Sequence, residues 1–414
     1  MIKYPEIYLP GAEADDKEFW MKWAVVACDQ FTSQPDYWKE VEEYVGDAPS
    51  AFHLMLPEIY LEEPDVESRI AEINRVMKDY IDRGVLENAG RAAVLVERET
   101  SEGKRLGLMA ALDLEEYDFA PDSQSRVRAT EGTVEERIPP RMKIRKNAVL
   151  ETPHVMVLIN DPERSIIEPL AESPGKILYD FDLAFGGGHI TGIQITDETA
   201  AEKALELLNA LPLLAVGDGN HSLAAAKCHW EELKKAGAPE DHPARYAMVE
   251  IENIYDPAIV FEPIHRVLFN ADPYLFFDEL EGWFSDKAAY MEAVADTESI
   301  PEYPGCHTIV YEAPGRKGYI FIDKEVHELA AGALQGFIDF YIKAHPETSV
   351  DYVHGDDAVR ELAVVKGNMG FYLPPISKDS FFAAIEKNGP MPRKTFSMGE
   401  AREKRYYIEC RKVL

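Results

Sequence analysis

Long apolar runs are what this sequence most plainly lacks. No stretch approaches the roughly 18 uninterrupted apolar residues that a membrane-spanning helix requires, so no membrane partner is expected. The opening MIKYPEIYLP has no basic segment leading into an apolar one, and no secretory leader is expected. Cysteine is scarce. Cys28, Cys228, Cys306 and Cys410 stand singly, without the density of a disulfide framework or the close pairing of a zinc site. Free thiols in a reducing, cytoplasmic compartment are the expectation. A His-Glu-x-x-His metal motif is also missing. Positive charge is in deficit, with 43 Lys and Arg against 75 Asp and Glu and a net charge of −32. Such a surface repels nucleic acid, which is therefore excluded as a partner.

What is present is ordinary globular material: 46% hydrophobic and 29% charged residues over 414 positions, enough for two or three packed lobes. Two segments reverse the prevailing charge. Residues 124–146 and 391–412 each hold seven Lys or Arg against three Glu. Compact basic islands in an anionic protein either pair with neighbouring Glu or hold a small anionic ligand locally.

Apolar spacing gives a coarse map. Residues 20–30 read as a short buried strand ending in a polar turn, and a helix follows from Ser33-Gln34-Pro35-Asp36. Val66, Ile70, Ile73, Val76, Met77 and Tyr80 recur at helical spacing up to Gly84. Residues 92–98 and 106–112 read as a hairpin around Thr100-Ser101-Glu102-Gly103. Strands are expected at 155–159, 211–216, 247–251, 308–311 and 318–322, and helices at 198–208, 223–236 and 323–344, the last loosened by Gly332 and Gly336. Trp20, Trp23, Tyr37 and Trp38 are read as core. Strands and helices mix without a clean βαβ rhythm, so the class is α+β, or irregular α/β.

The strongest local feature is a buried strand, the turn Gly217-Asp218-Gly219-Asn220-His221-Ser222, and an alanine-rich helix whose start Asn220 or Ser222 would cap. Free backbone N–H groups and the helix dipole favour an anion at such a place, and the glycines let a phosphate come close. No Gly-Lys-Ser/Thr follows, so this is not a P-loop, and the third glycine of a dinucleotide fingerprint is missing. Asp218 is a candidate Mg²⁺ ligand or orienting carboxylate, and His221 a candidate acid–base or phosphate-donor group. Asp29 ends a strand before a helix and is a further candidate acid. Thr130-Glu131-Gly132-Thr133 is a polar loop inside the first island. His265-Arg266 offers an anion ligand or a structural ion pair. His354-Gly355-Asp356-Asp357 is either a metal turn or, more simply, a helix start.

The run Gly217 to Ala226 resembles the Asp-Gly-His-His-Arg-Tyr-Glu-Ala-Ala motif of a bacterial and archaeal family catalogued as domain of unknown function 1015 (DUF1015). Ala27-Cys28-Asp29-Gln30, Thr130-Glu131-Gly132-Thr133 with Pro139-Pro140-Arg141-Met142, Pro263-Ile264-His265-Arg266 and Met391-Pro392-Arg393-Lys394 match further blocks, across nearly the whole chain. More distantly, the strand, loop and Ala-rich helix are similar to the ParB/sulfiredoxin-like superfamily, which includes an ADP-dependent free serine kinase. That likeness implies a ParB/sulfiredoxin-like core of mixed sheet with flanking helices and a nucleotide at the loop. Asn220 stands where sulfiredoxin has its cysteine, so sulfinic-acid reduction is not expected. Ser222 replaces a common Arg, so the basic phosphate contact must come from Arg126, Arg128, Arg137, Arg141 or Arg393.

The resulting expectation is phosphoryl transfer or phosphate-ester hydrolysis on a small metabolite, serine or phosphoserine by the resemblance, with ADP or ATP and Mg²⁺. The alternative is a non-catalytic binder of nucleotide or phosphometabolite. Asp29, Asp218 and His221 would carry the chemistry, with Asp218 on the metal. Gly217, Gly219, Asn220, Ser222, Arg126, Arg128, Thr130, Glu131, Thr133, Arg141, His265, Arg266, Arg393 and Lys394 would hold the ligand. The nucleotide lobe would span 1–265 and a C-terminal α+β lobe, 266–414, would close the site of a monomer or homodimer.

Overall fold

Alternation along the strands builds a sheet with a core on each face. In the computed structural model, which describes residues 1–292, 301 and 303–414, Val94 and Val96 enter one apolar cluster while Leu95 enters another. Met109 and Met248 follow the first pattern, and Leu108, Ala110, Ala247 and Val249 the second, as a two-residue period demands. Nine strands take part. Their order is Gly175–Asp182, His189–Ile195, Val94–Thr100, Gly103–Asp113, Tyr246–Asn253, Met156–Ile159, Leu214–Asp218, Val127–Ala129 and Tyr117–Asp118. Pairing is antiparallel through the first four junctions and mixed beyond, where Leu214–Asp218 runs parallel to Val127–Ala129 and antiparallel to Met156–Ile159. The fold is α+β around a mixed sheet.

Helices cover both faces. Val66–Asp82 buries Ile70, Ile73, Met77 and Tyr80, the stripe its spacing predicts. The segment 20–30 departs from expectation: Trp20 and Trp23 sit on a helix, Lys17–Trp23, started by the Asp16 side chain, and only Val25–Val26 is extended, paired with Tyr406–Tyr407. The expected core tryptophans are buried, and their indoles donate to carbonyls, Trp23 to Ile408 at 2.9 Å and Trp38 to Gln30 at 3.1 Å.

Contacts divide the chain into two units, Met1–Ile259 with Glu400–Leu414, and Val260–Gly399. The change of unit falls six residues before the expected boundary at 265, and residues 400–414 pack in the first unit. The second unit has its own antiparallel sheet, ordered Ala288–Glu292, Arg316–Asp323, Cys306–Ala313, Asn368–Tyr372, Phe261–Phe269 and Ser349–His354. Its core gathers Phe276, Phe277, Leu334, Phe337 and Ile338 from helices Pro273–Phe284 and Ala330–Ala344. The helix expected over 323–344 begins only at Ala330 and continues through Gly332 and Gly336. Gly332 is required by packing: an added Cβ would lie 2.2 Å from the His327 ring. Among the described residues no helix is long and apolar enough to cross a membrane.

Candidate functional site

The site begins at the end of one strand. Leu214, Ala215 and Val216 are fully buried, and Gly217 lies where the pairing with Met156–Ile159 shifts register. That irregularity turns the strand end so that Asp218 Oδ1 accepts the Gly219 N–H at 2.9 Å. Gly219 occupies the cap position at φ +80, with no side-chain cap, and the helix runs Asn220–Lys235. The strand thus starts three and ends two residues later than expected, the helix starts three residues earlier, and neither Asn220 nor Ser222 caps it. Both are already in its first turn. A side chain at Gly219 would stand 3.0 Å from Val155 Cγ2 and 3.1 Å from its Cα, so the backbone there needs glycine for space as well as for φ.

The alanines of the helix have a positional use. Ala224 and Ala225 pack with Ile138 of the helix Ile138–Arg145, and such small side chains let two helices approach closely. This docking carries Arg137 and Arg141 of the first basic island to the loop. A polar hollow of about 180 Å³ opens there, lined by Asp29, Glu58, Glu131, Gly132, Arg137, Arg141 and the loop from Asp218 to Ser222. Every lining residue belongs to the first unit.

Electrostatics in the hollow are mixed. Four carboxylates, Asp29, Glu58, Glu131 and Asp218, meet two guanidinium groups. Arg141 bonds the Glu58 carboxylate and donates to the Arg137 carbonyl at 2.7 Å. Burial pushes the Glu58 carboxyl up from its usual range, against the pull of Arg141. Asp29 accepts from the Gln30 amide at 2.9 Å, and Lys404 Nζ stands 3.6 Å from Asp218 Oδ2. His221 Nε2 accepts the Val134 N–H at 3.2 Å. Asn220 Nδ2 reaches Thr130 Oγ1 at 3.5 Å, while its Oδ1 is buried without a hydrogen-bond partner among the described residues. Ser222 Oγ lies 2.9 Å from His154 Nε2, and His154 Nδ1 lies 2.9 Å from the Tyr407 hydroxyl, which accepts the Cys28 N–H at 3.1 Å.

The candidates therefore separate. Asp29, Glu131, Arg141, Asp218, Gly219, Asn220, His221 and Ser222 come together around the hollow. Thr130 supports it from beneath, donating from Oγ1 to the Val216 carbonyl at 2.6 Å, and Thr133 Oγ1 is buried without a partner among the described residues. Arg126 and Arg128 are held elsewhere. Arg126 bonds the Leu211 and Leu208 carbonyls and Glu116, tying the helix Glu198–Ala210 to its neighbours, and Arg128 bonds the Ser125 carbonyl at 2.9 Å.

His265, Arg266, Arg393 and Lys394 belong to the second unit. There Arg266 is buried, bonded to Gln335 at 2.9 Å and to the Ile264 and Lys394 carbonyls, a structural engagement. His265 pairs with Asp356 at 2.9 Å and accepts the Leu373 N–H. Gly355, at φ +85, starts the helix Asp356–Ala363, so His354-Gly355-Asp356-Asp357 is a helix start.

Arg137, one of the arginines expected to supply a phosphate contact, also lines the hollow; Glu58, His154 and Lys404 complete the surroundings, and single positions in the sequence do not mark them. Lys404 had only its place in the second basic island. Among the described residues no three His, Cys, Asp or Glu side chains are arranged to hold a metal.

Comparison with known proteins gives a family and distant structural likenesses. The profile of the family described as "Protein of unknown function (DUF1015)" matches residues 10–412. A free serine kinase variant in complex with AMP is similar at TM-score 0.41 and 10% identity, over 74% of this chain and 92% of that one. A conserved hypothetical protein from Pyrococcus furiosus gives 0.36 and 11%, over 70% and 90%. SbnI from Staphylococcus aureus, truncated at its C-terminus, gives 0.36 and 10%, over 70% and 82%. No curated protein matches the chain.

Proposed function

The chain belongs to the DUF1015 family, and from that premise we propose that its polar hollow binds the phosphate of a nucleotide or small phosphometabolite and transfers or hydrolyses the phosphoryl group. One observation carries this reading. The start of a 16-residue helix, two arginines and several carboxylates converge on a single hollow of about 180 Å³. Helix N–H groups and guanidinium groups suit phosphate oxygens. Phosphoryl transfer depends mainly on positioning and charge, so a site with few reactive side chains is adequate to it.

In this reading Arg137 and Arg141 neutralise phosphate charge, and the backbone N–H groups after Gly219 donate to the remaining oxygens. Asp29 orients the acceptor hydroxyl or water, and His221 contacts the phosphate. Mg²⁺ commonly takes one or two carboxylates alongside phosphate oxygens and waters. Asp218 and Asp29 offer that number, which fits a cation arriving with the ligand's phosphate better than a protein-built cage. The chemistry it would supply is charge neutralisation on the phosphate.

A thermal-shift screen of ADP, ATP, phosphate, serine and phosphoserine, with and without Mg²⁺, tests the reading. A ligand at about 100 times its Kd stabilises the folded state by about 2.7 kcal/mol. At least one phosphorylated ligand is expected to raise the midpoint, and Asp218→Ala and His221→Ala to reduce the effect. A flat response to every phosphorylated ligand would remove the proposal. A shift with no turnover in coupled kinase and phosphate-release assays would leave binding alone.

A further inference from the structure

Ser222 stands in the first turn of the helix Asn220–Lys235 and lines the polar hollow. Its Oγ lies 2.9 Å from Nε2 of buried His154, whose Nδ1 lies 2.9 Å from the Tyr407 hydroxyl. All three residues belong to the first unit. A hydroxyl within reach of a base, with a third group holding the base in place, is the arrangement that activates a weak oxygen nucleophile.

The base is fixed from several sides. The backbone just after His154 is pinned where the Val155 carbonyl accepts the Glu250 N–H at 3.0 Å. Tyr407 is itself buried, meets the imidazole edge-on at 5.5 Å between ring centres, and accepts the Cys28 N–H at 3.1 Å. Gly219 leaves the ring its place, since an added Cβ there would stand 3.4 Å from His154 Cδ2. With the imidazole hydrogen on Nδ1 and donated to Tyr407, Nε2 accepts the Ser222 hydroxyl hydrogen. A serine that served only to satisfy a buried histidine would not need to line the hollow. Charge there suits attack at phosphorus. The first bond of the helix runs from the Leu223 N–H to the Gly219 carbonyl at 3.0 Å, so the N–H groups ahead of it lie outside the helical ladder, and Arg137 and Arg141 line the same hollow.

We infer that Ser222 is a covalent nucleophile, with His154 as its general base and Tyr407 as the residue that positions the imidazole. Its action on phosphorus rests on the phosphate-binding reading of the hollow; its activation by His154 does not. Ser222 Oγ attacks the phosphorus of a phosphate ester. The Oγ–P bond forms as the ester P–O bond breaks, and the hydroxyl proton passes to His154 Nε2 and on to the leaving oxygen. Water then attacks the phosphoserine, its proton returns through His154 to Ser222 Oγ, and phosphate leaves. An acceptor hydroxyl in place of water gives transfer instead of hydrolysis.

Phenylmethylsulfonyl fluoride probes the nucleophile without a phosphate, and p-nitrophenyl phosphate probes the phosphoryl step. Peptide mapping of the full chain by mass spectrometry is expected to place the sulfonyl group on Ser222, and a phosphoryl group on the same residue after acid quenching with p-nitrophenyl phosphate. Ser222→Ala should take neither. His154→Gln keeps a hydrogen-bond partner for Ser222 but cannot take its proton, and should slow sulfonylation by about 10²-fold or more. Tyr407→Phe should slow it by about ten-fold with p-nitrophenyl phosphate affinity unchanged, a split that lost packing alone would not produce. Circular dichroism confirms that each variant is folded. Phosphate probes that bind while both reagents leave wild-type Ser222 unmodified overturn the nucleophile alone. Sulfonylation as fast in folded His154→Gln as in the wild type overturns the base, and an unchanged rate in Tyr407→Phe removes its positioning role. Sulfonylation of Ser222 in a chain that binds no phosphate probe keeps the nucleophile and removes the phosphate reading; neither modification nor binding removes both.

Discussion

Gly219→Ala is the sharpest probe of how the loop is built, because its cost has two parts that a second glycine separates. At φ +80 an L-residue pays about 1–2 kcal/mol for the left-handed region. The new Cβ would also stand 3.0 Å from Val155 Cγ2 and 3.1 Å from Val155 Cα, and the second of these is backbone just before the strand Met156–Ile159, tied by the Glu250 N–H to the Val155 carbonyl at 3.0 Å. Overpacking of this kind costs roughly 1–3 kcal/mol. Gly237, just past the other end of the same helix, has φ +92 and nothing within 4 Å of an added Cβ. Gly237→Ala therefore carries the backbone cost alone. Gly219→Ala should be less stable than Gly237→Ala by roughly 1–3 kcal/mol, the overpacking share. Urea denaturation at fixed pH measures both, and equal midpoints would refute the argument that Val155 closes against this loop. Phosphate binding, where present, should fall for Gly219→Ala and hold for Gly237→Ala.

Arginines of the first basic island should divide by role. Arg126→Ala removes three hydrogen bonds that hold the helix Glu198–Ala210 and is expected to lower stability by roughly 1–3 kcal/mol with ligand affinity unchanged. Arg141→Ala should weaken phosphate binding by roughly ten-fold or more in a calorimetric titration with a phosphorylated ligand, the cost of about one charge-assisted bond.

Buried Glu252, with Arg105 Nε at 3.0 Å, gives a pH dependence: burial pushes its carboxyl from 4.5 up to about 8. The folded chain then holds a proton that the unfolded chain has released, so stability is full below pH 4.5 and declines as pH rises toward 8. Glu252→Gln should flatten the fall in melting temperature between pH 5 and pH 8, and an unchanged slope would assign it to other groups.

Gly332→Ala sets a helix propensity gain of about 1 kcal/mol against a Cβ placed 2.2 Å from the His327 ring. His327 is fixed by accepting the Leu329 N–H at 2.9 Å, so the clash should win, and faster hydrogen exchange along Ala330–Ala344 would register it.

Much of the site was legible because local chemistry specifies it. Gly217-Asp218-Gly219 announces a turn that only glycine accommodates, and the apolar run before it is a buried strand. Alternation in 92–112 and helical spacing in 64–84 are likewise properties of neighbouring residues. The differences fall where a specific side-chain geometry, rather than apolar spacing, decides. Trp20 and Trp23 read as strand because apolar residues in a short run look alike in either state, and the Asp16 cap selects helix. Gly332 looked like a helix breaker because the ring that requires its small size belongs to His327.

The sequence by itself determined the α+β class, the family blocks and the loop with its candidate side chains, since each depends on residues within a few positions of one another. Only the tertiary structure decided which arginines reach that loop. Charge alone cannot distinguish Arg126 from Arg141. The carbonyls of Leu208 and Leu211 capture the first, and the second arrives because Ala224 and Ala225 are small enough for the Ile138–Arg145 helix to lie against them. Glu58, His154 and Lys404 were fixed in the same way, by packing between segments distant in the chain, where no local pattern carries the information.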